Sequence, residues 1–280
     1  MLRIVLDTAG DIPQEWIDEY EVQMIPINIH FGEQTFYQGI DLDNEGFYRL
    51  VDESGVIPKT SQPTPQQFKT FYRQIADPGD TVLSIHVTGK LSGTMASAEM
   101  AARELEGEIN VIPFDSAAGS AAQGYMAKEA RLLDHAGASI ERIVERLERI
   151  RANIQVILTL DTLEYARMSG RVKTLQAALA SVLNVKPIVL LQEGMLDMFD
   201  KVRTRGRSLE HVLSLIAERI GDRRANVAVV HARDLQAGEA LLKRVQEVLH
   251  CESLILTELS IGIAANLGPG TVGIIAYPVE

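Results

Sequence analysis

The feature that most limits what this chain can fold into is the regular alternation of short β-rich runs with amphipathic helical runs along its 280 residues. Such alternation is typical of sheets whose strands are followed by covering helices. Strand candidates include RIVLD at 3–7, VQMIPINIHF at 22–31 and TVLSIHV at 81–87. The clearest predicted helices span 64–76, 92–106, 119–136, 139–152, 208–220 and 235–249. The pattern therefore predicts an α/β protein with largely parallel sheets.

The length of the chain is long for one domain and comfortable for two. An apolar stripe runs along the predicted helix at 139–152, and a new strand begins near Ile154. We therefore predict an N-terminal α/β domain over 1–153 and a C-terminal α/β domain over 154–280. No low-complexity linker separates them, so we expect two packed domains with a ligand site in the inter-domain cleft.

Composition excludes several classes of function. A formal net charge of −11 argues against a nucleic-acid-binding protein, which needs a basic face to contact phosphates. No apolar run approaches the roughly 20 residues that span a bilayer, and MLRIVLDTAGD reaches an Asp too soon for a signal peptide. The single cysteine, Cys251, allows no internal disulfide and no thiolate metal cluster. We expect a cytoplasmic protein without integral membrane segments.

The stretch TVLSIHVTGKLSGTMASAEMAARELEG, residues 81–107, leads from a strand through a Gly-Lys-Leu-Ser-Gly-Thr turn into a helix. It does not match a phosphate-binding loop, because Gly89-Lys90 is followed by Leu91. Nor does it match the Gly-x-Ser-x-Gly elbow of hydrolases, because two residues separate Gly89 from Ser92. A Ser92 nucleophile outside that motif would need a base, for which the candidates are His30, His86 and His231.

A carboxylate site is the third interpretation of this turn. The Ser92 and Thr94 hydroxyls and the free N–H groups of the first helical turn can point at one anion. A second hydroxyl-rich segment, TSQPTP at 60–65, also precedes a predicted helix and could donate to the same anion. For both segments the simpler alternative is a capped helix.

The helices that follow these turns are rich in Ala, Gly and Ser. Small side chains at helical spacing favour either close packing of neighbouring elements or a narrow apolar tunnel. Met95, Met100 and Met126 would suit a tunnel wall, although Met is also ordinary core filler.

Four other motifs carry competing interpretations. GPGTVG at 268–273 matches a dinucleotide fingerprint, but it precedes the last strand and no helix follows, so we interpret it as a tight loop. Arg171 follows a helix that ends at Gly170, where it can face a carboxylate or cap the helix. KVRTRGRS at 201–208 is either a docking patch or a solvated loop. Three aspartates lie near the ends of predicted strands, and we expect them to cap helices: Asp7, Asp11 and Asp115.

Taken together, the motifs resemble the DegV family over essentially the whole chain. The resemblance is carried by LDTAGDIP, KTSQPTPQQF, TGKLSGTMASA, FDSAAGSAAQGYMAKEA, LDTLEYARMSGRV, KPIVLLQEGML, KVRTRGRS and NLGPGTVGI, in that order. It implies a two-domain α/β protein that binds one long-chain fatty acid in a buried tunnel. It further implies a non-enzymatic carrier that presents the carboxylate to a separate fatty acid kinase. The sequence has no metal-ligand spacing, so we expect no metal, and we expect no cofactor.

The resemblance also implies the site residues. Thr60, Ser61 and Ser92 look like carboxylate ligands, with backbone donors near Gly93 and Thr94. Arg171 looks like the cleft arginine of the family. Arg203 and Arg205 fall in a region that meets the kinase, and transient contact with a membrane surface is compatible with such a carrier.

Two positions depart from the family pattern. Asn266 stands where a His usually precedes Gly-Pro-Gly, and Ser169 stands where a second glycine is usual. Asn can donate a hydrogen bond to a carboxylate but cannot carry charge. Asn266 therefore keeps open the alternative of a lipid sensor or buffer without transfer competence. A Ser92-dependent hydrolase or acyltransferase is the enzyme alternative.

Overall fold

The computed structural model describes residues 1–172 and 185–279. The chain splits into two compact units. Unit 1 contains Met1–Ala152 and Ser260–Gly262, and unit 2 contains Asn153–Leu259 and Ile263–Glu280. Within the described part of the chain, no helix is both long and apolar enough to cross a lipid bilayer.

Unit 1 is built from seven described strands and six helices. The strands are β1 Leu2–Asp7, β2 Val22–Ile25, β3 Asn28–Phe31, β4 Gln34–Tyr37, β5 Lys59–Ser61, β6 Thr81–His86 and β7 Asn110–Asp115. The helices are α1 Gln14–Glu19, α2 Asn44–Ser54, α3 Pro65–Ile75, α4 Thr94–Glu104, α5 Ala121–His135 and α6 Ile140–Asn153. The four helices predicted for this part of the chain are confirmed, each with both ends within about two residues of the prediction.

The larger sheet of unit 1 is entirely parallel, as predicted. Its order is β2-β1-β6-β7. Helices α3 and α4 cover one face through a core that includes Val5, Phe68, Tyr72 and Ala98. Because the strands are parallel, the loops after β1, β6 and β7 leave the sheet at the same edge, the usual place for a ligand site in such folds.

The smaller sheet of unit 1 was not predicted. It is antiparallel, with the order β4-β3-β5. The single strand predicted at 22–31 is in fact two strands in two different sheets, separated at Pro26 and Ile27. Pro26 has no N–H to donate to a ladder, and the Ile27 N–H donates instead to Oγ1 of Thr8 over 2.9 Å.

Unit 2 contains six described strands and the helices that connect them. The strands are β8 Gln155–Thr159, β9 Lys186–Gln192, β10 Met195–Val202, β11 Ala225–His231, β12 Cys251–Glu258 and β13 Val272–Pro278. The helices are α7 Glu164–Ser169, α8 Arg205–Ile220 and α9 Leu235–Val248, and α10 Ile261–Leu267 begins in the segment assigned to unit 1.

The sheet of unit 2 differs from the parallel arrangement that the alternation predicted. Its order is β10-β9-β8-β13-β11-β12, and only the β11/β12 pair is parallel. Two local causes explain this. Glu193 and Gly194 both have positive φ and form the two-residue turn of the β9/β10 hairpin. The final strand β13 inserts between β8 and β11 and runs antiparallel to both.

Candidate functional site

The loops at the carboxyl edge of the parallel sheet are organised by three aspartates. Asp7 is fully buried, and its Oδ2 accepts from His86 Nδ1 at 3.0 Å and from the Val87 N–H at 2.9 Å. Asp115 accepts from the Gly89 N–H at 3.1 Å and from the Ala117 N–H at 2.7 Å. In these bonds the carboxylates join loops to one another.

Asp11 has the same role in a neighbouring loop. Its Oδ1 accepts from the Ser260 N–H at 2.8 Å, and its other oxygen accepts from the Ser120 hydroxyl. Neither Asp11 nor Asp7 nor Asp115 is the N-cap of a described helix, so the expectation of helix caps is wrong. Buried carboxylates here satisfy loop N–H groups that no strand partner reaches.

Ser92 lies in the turn between β6 and α4, and Thr94 is the first residue of α4. The Leu91 and Ser92 N–H groups donate to the Thr88 carbonyl at 3.1 and 3.2 Å, which closes the turn. The two hydroxyl oxygens lie 2.8 Å apart, and the Thr94 N–H donates to Ser92 Oγ at 3.3 Å. The N-cap residue of α4 is Gly93, and it makes no side-chain cap hydrogen bond. In the described chain the N-cap of α4 therefore offers no side chain to the free N–H groups of the first turn, which carry partial positive charge.

The TSQPTP segment differs, because its helix caps itself. Thr64 Oγ1 accepts from the Gln67 N–H at 3.2 Å, and Gln67 Oε1 accepts from the Thr64 N–H at 2.8 Å. Pro65 occupies the first helical position. This is a complete capping box, so the helix-cap alternative is confirmed for α3. Thr60 and Ser61 are not part of it and lie in β5.

Ser61 is half-buried and lies against strand β3. His30 Nε2 is 2.8 Å from Ser61 Oγ, and Asn28 Nδ2 donates to the same oxygen at 3.3 Å. Asn28 is directly opposite Ser61 in the β3/β5 pair. The cross-strand pairing thus places two polar side chains on one hydroxyl. The sequence reasoning missed Asn28, and it considered His30 only as a possible base for Ser92.

The two hydroxyl-rich segments meet in unit 1. A Cβ atom built on Gly93 would lie 2.8 Å from Nε2 of Gln62, so the Gln62 side chain packs directly on the Gly93 backbone. Any larger residue at Gly93 would push Gln62 away. This contact brings TSQP next to the uncapped end of α4, and it joins the segments that contain five predicted ligands, namely Thr60, Ser61, Ser92, Gly93 and Thr94.

The two remaining predicted ligands lie in unit 2 and are linked through Ser169. Gly170 ends α7 in the left-handed conformation with φ 68°, as predicted. The Arg171 guanidinium donates back to the Ser169 carbonyl, and the Ser169 hydroxyl donates to the Asn266 carbonyl at 3.1 Å. In this structure Arg171 thus makes a helix-capping contact, the second of the two alternatives for that residue.

Comparison with known proteins identifies the family that the sequence motifs resemble. A family model described as an uncharacterised protein of the DegV family matches residues 1–279. The chain belongs to the DegV family. It is 31% identical over its full length to a DegV domain-containing protein of Deinococcus radiodurans, of which it covers 99%.

Solved DegV structures share the whole fold. A fatty-acid-binding DegV protein from Thermus thermophilus matches with a TM-score of 0.92 and 32% identity, with 99% of each chain covered. A stearic-acid-binding protein from Eubacterium ventriosum matches with a TM-score of 0.89 and 25% identity, with 99% of this chain and 98% of that chain covered.

The glycines of the DegV motif NLGPG have a structural cause. Gly268 and Gly270 have φ values of 87° and 75°. A Cβ atom on Gly270 would lie 2.5 Å from the Asp161 Cβ, and one on Gly268 would lie 2.9 Å from the Tyr165 ring. The loop leads directly into β13, so its interpretation as a tight loop is confirmed.

Unit 1 of this protein contains a row of side chains with the spacing of a catalytic triad. Ser84 Oγ is 2.7 Å from His86 Nε2, and His86 Nδ1 is 3.0 Å from Asp7 Oδ2. All three side chains have zero exposure, and the Tyr72 hydroxyl lies 2.8 Å from Ser84 Oγ on the remaining side. Burial raises the pKa of Tyr72, which keeps the phenol protonated. A substrate cannot reach this row, so we interpret it as a structural network.

The same contacts weigh against a Ser92 nucleophile. His86 has both ring nitrogens occupied by Asp7 and Ser84, and His30 contacts Ser61 and Thr35. The hydrogen bonds of the Ser92 hydroxyl in the described chain are made with Thr94. None of these contacts gives Ser92 a general base.

The basic segment of this DegV protein has two kinds of arginine. Arg205 Nη2 donates to Asp234 Oδ2 at 2.5 Å, and Asp234 in turn caps α9. Arg203 and Arg207 are exposed. Docking by Arg203 stays a prediction, whereas Arg205 has a structural role in its ion pair.

Two of the methionines predicted as tunnel-wall residues differ in burial. Met126 is fully buried, but Met100 is 51% exposed on α4 and is therefore not a tunnel wall. A Cβ atom on Gly124 would lie 2.8 Å from the Asp11 carbonyl oxygen, so α5 packs closely on the loop after β1. Close packing explains this glycine of α5.

Proposed function

We propose that this protein binds a long-chain fatty acid and holds its carboxylate at the two hydroxyl-rich segments of unit 1. The observation that carries the proposal is the uncapped N-terminus of α4, with the paired Ser92 and Thr94 hydroxyls beside it and Gln62 packed on Gly93. The fatty-acid-binding DegV protein from Thermus thermophilus and the stearic-acid-binding protein from Eubacterium ventriosum support the ligand class.

The chemistry of these groups suits a carboxylate. Backbone N–H groups at a helix N-terminus are donors with partial positive charge, and anions are stabilised there. Hydroxyl groups add donors whose hydrogens rotate toward an acceptor. Hydrogen bonds to a charged oxygen are stronger than bonds between neutral groups. On this proposal Ser61, Ser92 and Thr94 orient the carboxylate, and Thr60 assists them.

Affinity comes mainly from the acyl chain. Each buried CH₂ group contributes about 0.8 kcal/mol, so a chain of palmitate or stearate length supplies up to roughly 12 kcal/mol before the costs of binding. The head-group contacts then determine orientation rather than most of the affinity. The proposal therefore expects head-group variants to remain lipid-binding proteins with a weakened preference for the free acid.

We further propose that the protein is a carrier that presents the carboxylate to a separate fatty acid kinase in the cytoplasm. Exposed Arg203 is the docking candidate, and Arg171 and Asn266 stay predictions from the family resemblance. A lipid sensor or buffer is the second candidate, and Asn266 favours it because this position carries no charge where the family usually has a His.

The test is mass spectrometry of the purified protein, first under native conditions and then after denaturation and solvent extraction. We expect a fatty acid to be released in equal amount to the protein, and only on denaturation. A protein that is free of lipid, and stays so after incubation with palmitic and stearic acids, would show that the proposal is wrong.

A second measurement separates carrier from sensor. The loaded protein is mixed with a bacterial fatty acid kinase and ATP, and the acyl phosphate is trapped with hydroxylamine. Transfer of the terminal phosphoryl group of ATP to the carboxylate gives acyl phosphate and ADP, so a carrier yields both products. A sensor retains the acid and yields neither.

A further inference from the structure

A chain of hydrogen bonds with a fixed direction leads from the cap of α3 to Ser61. It begins at the Thr64 N–H, which can only donate and does so to Gln67 Oε1 at 2.8 Å. The orientation of the Gln67 amide is therefore fixed, and its Nε2 donates to Asn28 Oδ1 at 3.3 Å.

The orientation of the Asn28 amide is fixed twice. Its oxygen accepts from Gln67, and its nitrogen donates to the Gln62 carbonyl oxygen at 3.1 Å, an atom that can only accept. The second hydrogen on the same nitrogen is directed to Ser61 Oγ at 3.3 Å. Asn28 is 6% exposed, so its own amide is largely shielded from water. Ser61 Oγ therefore accepts one hydrogen bond from Asn28.

His30 determines where the hydrogen of the Ser61 hydroxyl goes. Its Nε2 is 2.8 Å from Ser61 Oγ, and its Nδ1 is 2.9 Å from Thr35 Oγ1. If Nε2 is protonated, it donates to Ser61, whose own hydrogen is then free for a ligand. If only Nδ1 is protonated, Nε2 accepts the Ser61 hydrogen and the hydroxyl has none left to donate.

We infer that Asn28 and His30 are positioning residues that both donate to Ser61 Oγ, so that the single hydrogen of the Ser61 hydroxyl is donated to the bound carboxylate. This inference rests on the proposed function. A hydroxyl group accepts two hydrogen bonds and donates one. The Asn28 amide and the His30 imidazole together fill both acceptor positions. Binding of the acid then selects the His30 state in which Nε2 carries a hydrogen.

The inference is tested by replacing His30 and comparing palmitic acid with its methyl ester, which has the same chain and no carboxylate. We expect His30→Leu to weaken binding of the acid roughly tenfold, the effect of losing one hydrogen bond to a charged group, and to leave the ester within about twofold. His30→Gln, whose side-chain amide can donate from a similar position, should retain most of the affinity for the acid. His135→Leu, the same change at an exposed histidine at the end of α5, is the control.

A double-mutant cycle shows whether His30 acts through Ser61. In a Ser61→Ala background, His30→Leu should change the Kd for the acid less than about twofold, because the hydroxyl that it positions is gone. An undiminished tenfold loss in that background, or equal losses for acid and ester, would mean that His30 has another role and would overturn the inference.

A spectroscopic measurement checks the state of the ring directly. In ¹⁵N NMR spectra of the loaded protein, with the His30 signals assigned by comparison with His30→Gln, Nε2 should carry a hydrogen. A loaded protein whose His30 is protonated only at Nδ1 contradicts the inference. If the wild-type protein binds neither acid nor ester, the proposed function fails and this inference with it. If it binds both and His30→Leu behaves like His135→Leu, only this inference fails.

Discussion

The hydroxyl group of Ser169 donates a hydrogen bond of 3.1 Å to the backbone carbonyl of Asn266. Both residues stand where the motifs of the DegV family usually have others, a glycine and a histidine. Since glycine has no hydroxyl, the usual residue could not make this bond. The bond joins the end of α7 to α10, and the Arg171 guanidinium binds the carbonyl of the same serine. The hydrogen bond thus links the two positions, and it involves only the backbone of Asn266.

Removal of that hydroxyl should destabilise unit 2. We expect Ser169→Ala to lower the free energy of unfolding by about 1 kcal/mol, because the Asn266 carbonyl loses a partner. Chemical denaturation measures the change. Ser54→Ala is the control, since the Ser54 hydroxyl donates within its own helix to the Leu50 carbonyl in an exposed position. Equal stability of Ser169→Ala and the wild type would show that the bond contributes nothing.

The departure at Asn266 can be reversed by a single substitution to histidine. We expect Asn266→His to bind palmitic acid several-fold more tightly than the wild type and its methyl ester no differently, because a protonated imidazole adds charge that an amide lacks. The gain should be largest at low pH and disappear as the pH rises and the imidazole loses its proton. Isothermal titration calorimetry at pH values on both sides of the usual His pKa of about 6.5 measures the gain in affinity. A gain that is equal for acid and ester would instead indicate better packing of the chain.

The pH dependence of stability should include a contribution from His231. This side chain is 7% exposed at the end of β11, and burial lowers its pKa, against the opposing effect of the nearby Glu258, Asp234 and Glu239 carboxylates. Because the unfolded chain takes up the proton at higher pH than the folded chain does, the contribution is complete above the usual His pKa of about 6.5 and is lost as the pH falls.

Replacing His231 should therefore flatten part of that pH dependence. We expect the free energy of unfolding of His231→Gln to fall less than that of the wild type between about pH 7.5 and about pH 5. Urea denaturation at the two pH values measures the difference, and His135→Gln at an exposed histidine is the control. Parallel curves for His231→Gln and the wild type would contradict the assignment.

Local signals in the sequence predicted local structure well. The helix predicted over 64–76 spans Pro65–Ile75, and Thr64 and Gln67 form its capping box because capping involves residues that are close along the chain. Gly170 was predicted as a helix end and is one. The two segments of the proposed carboxylate site could be selected from the sequence for the same reason, since each is a short continuous motif.

Features that depend on distant pairing could not be predicted. The contacts of Ser61 with Asn28 and His30 exist because β3 pairs with β5 about thirty residues further on, and that small sheet was missed when Pro26 divided the predicted strand. The position of β13 between β8 and β11 also depends on pairing between strands that are distant in sequence. Hydrophobic periodicity and residue propensity locate strands, but they do not determine which strands pair with each other.

The contrast between the two helix N-termini gives the sharpest test of the site. Ser92 and Thr64 each precede a helix, but only Thr64 caps its helix. We expect Ser92→Ala to weaken binding of palmitic acid roughly tenfold with little loss of stability, because in the proposed site its hydroxyl donates to the carboxylate. Thr64→Ala should lower the free energy of unfolding by about 1 kcal/mol and leave the preference for acid over methyl ester unchanged. Calorimetric titration and urea denaturation of both variants measure the two effects. If Ser92→Ala, even combined with Thr60→Ala, binds the acid as tightly as the wild type, the carboxylate lies elsewhere and the uncapped end of α4 is not its site.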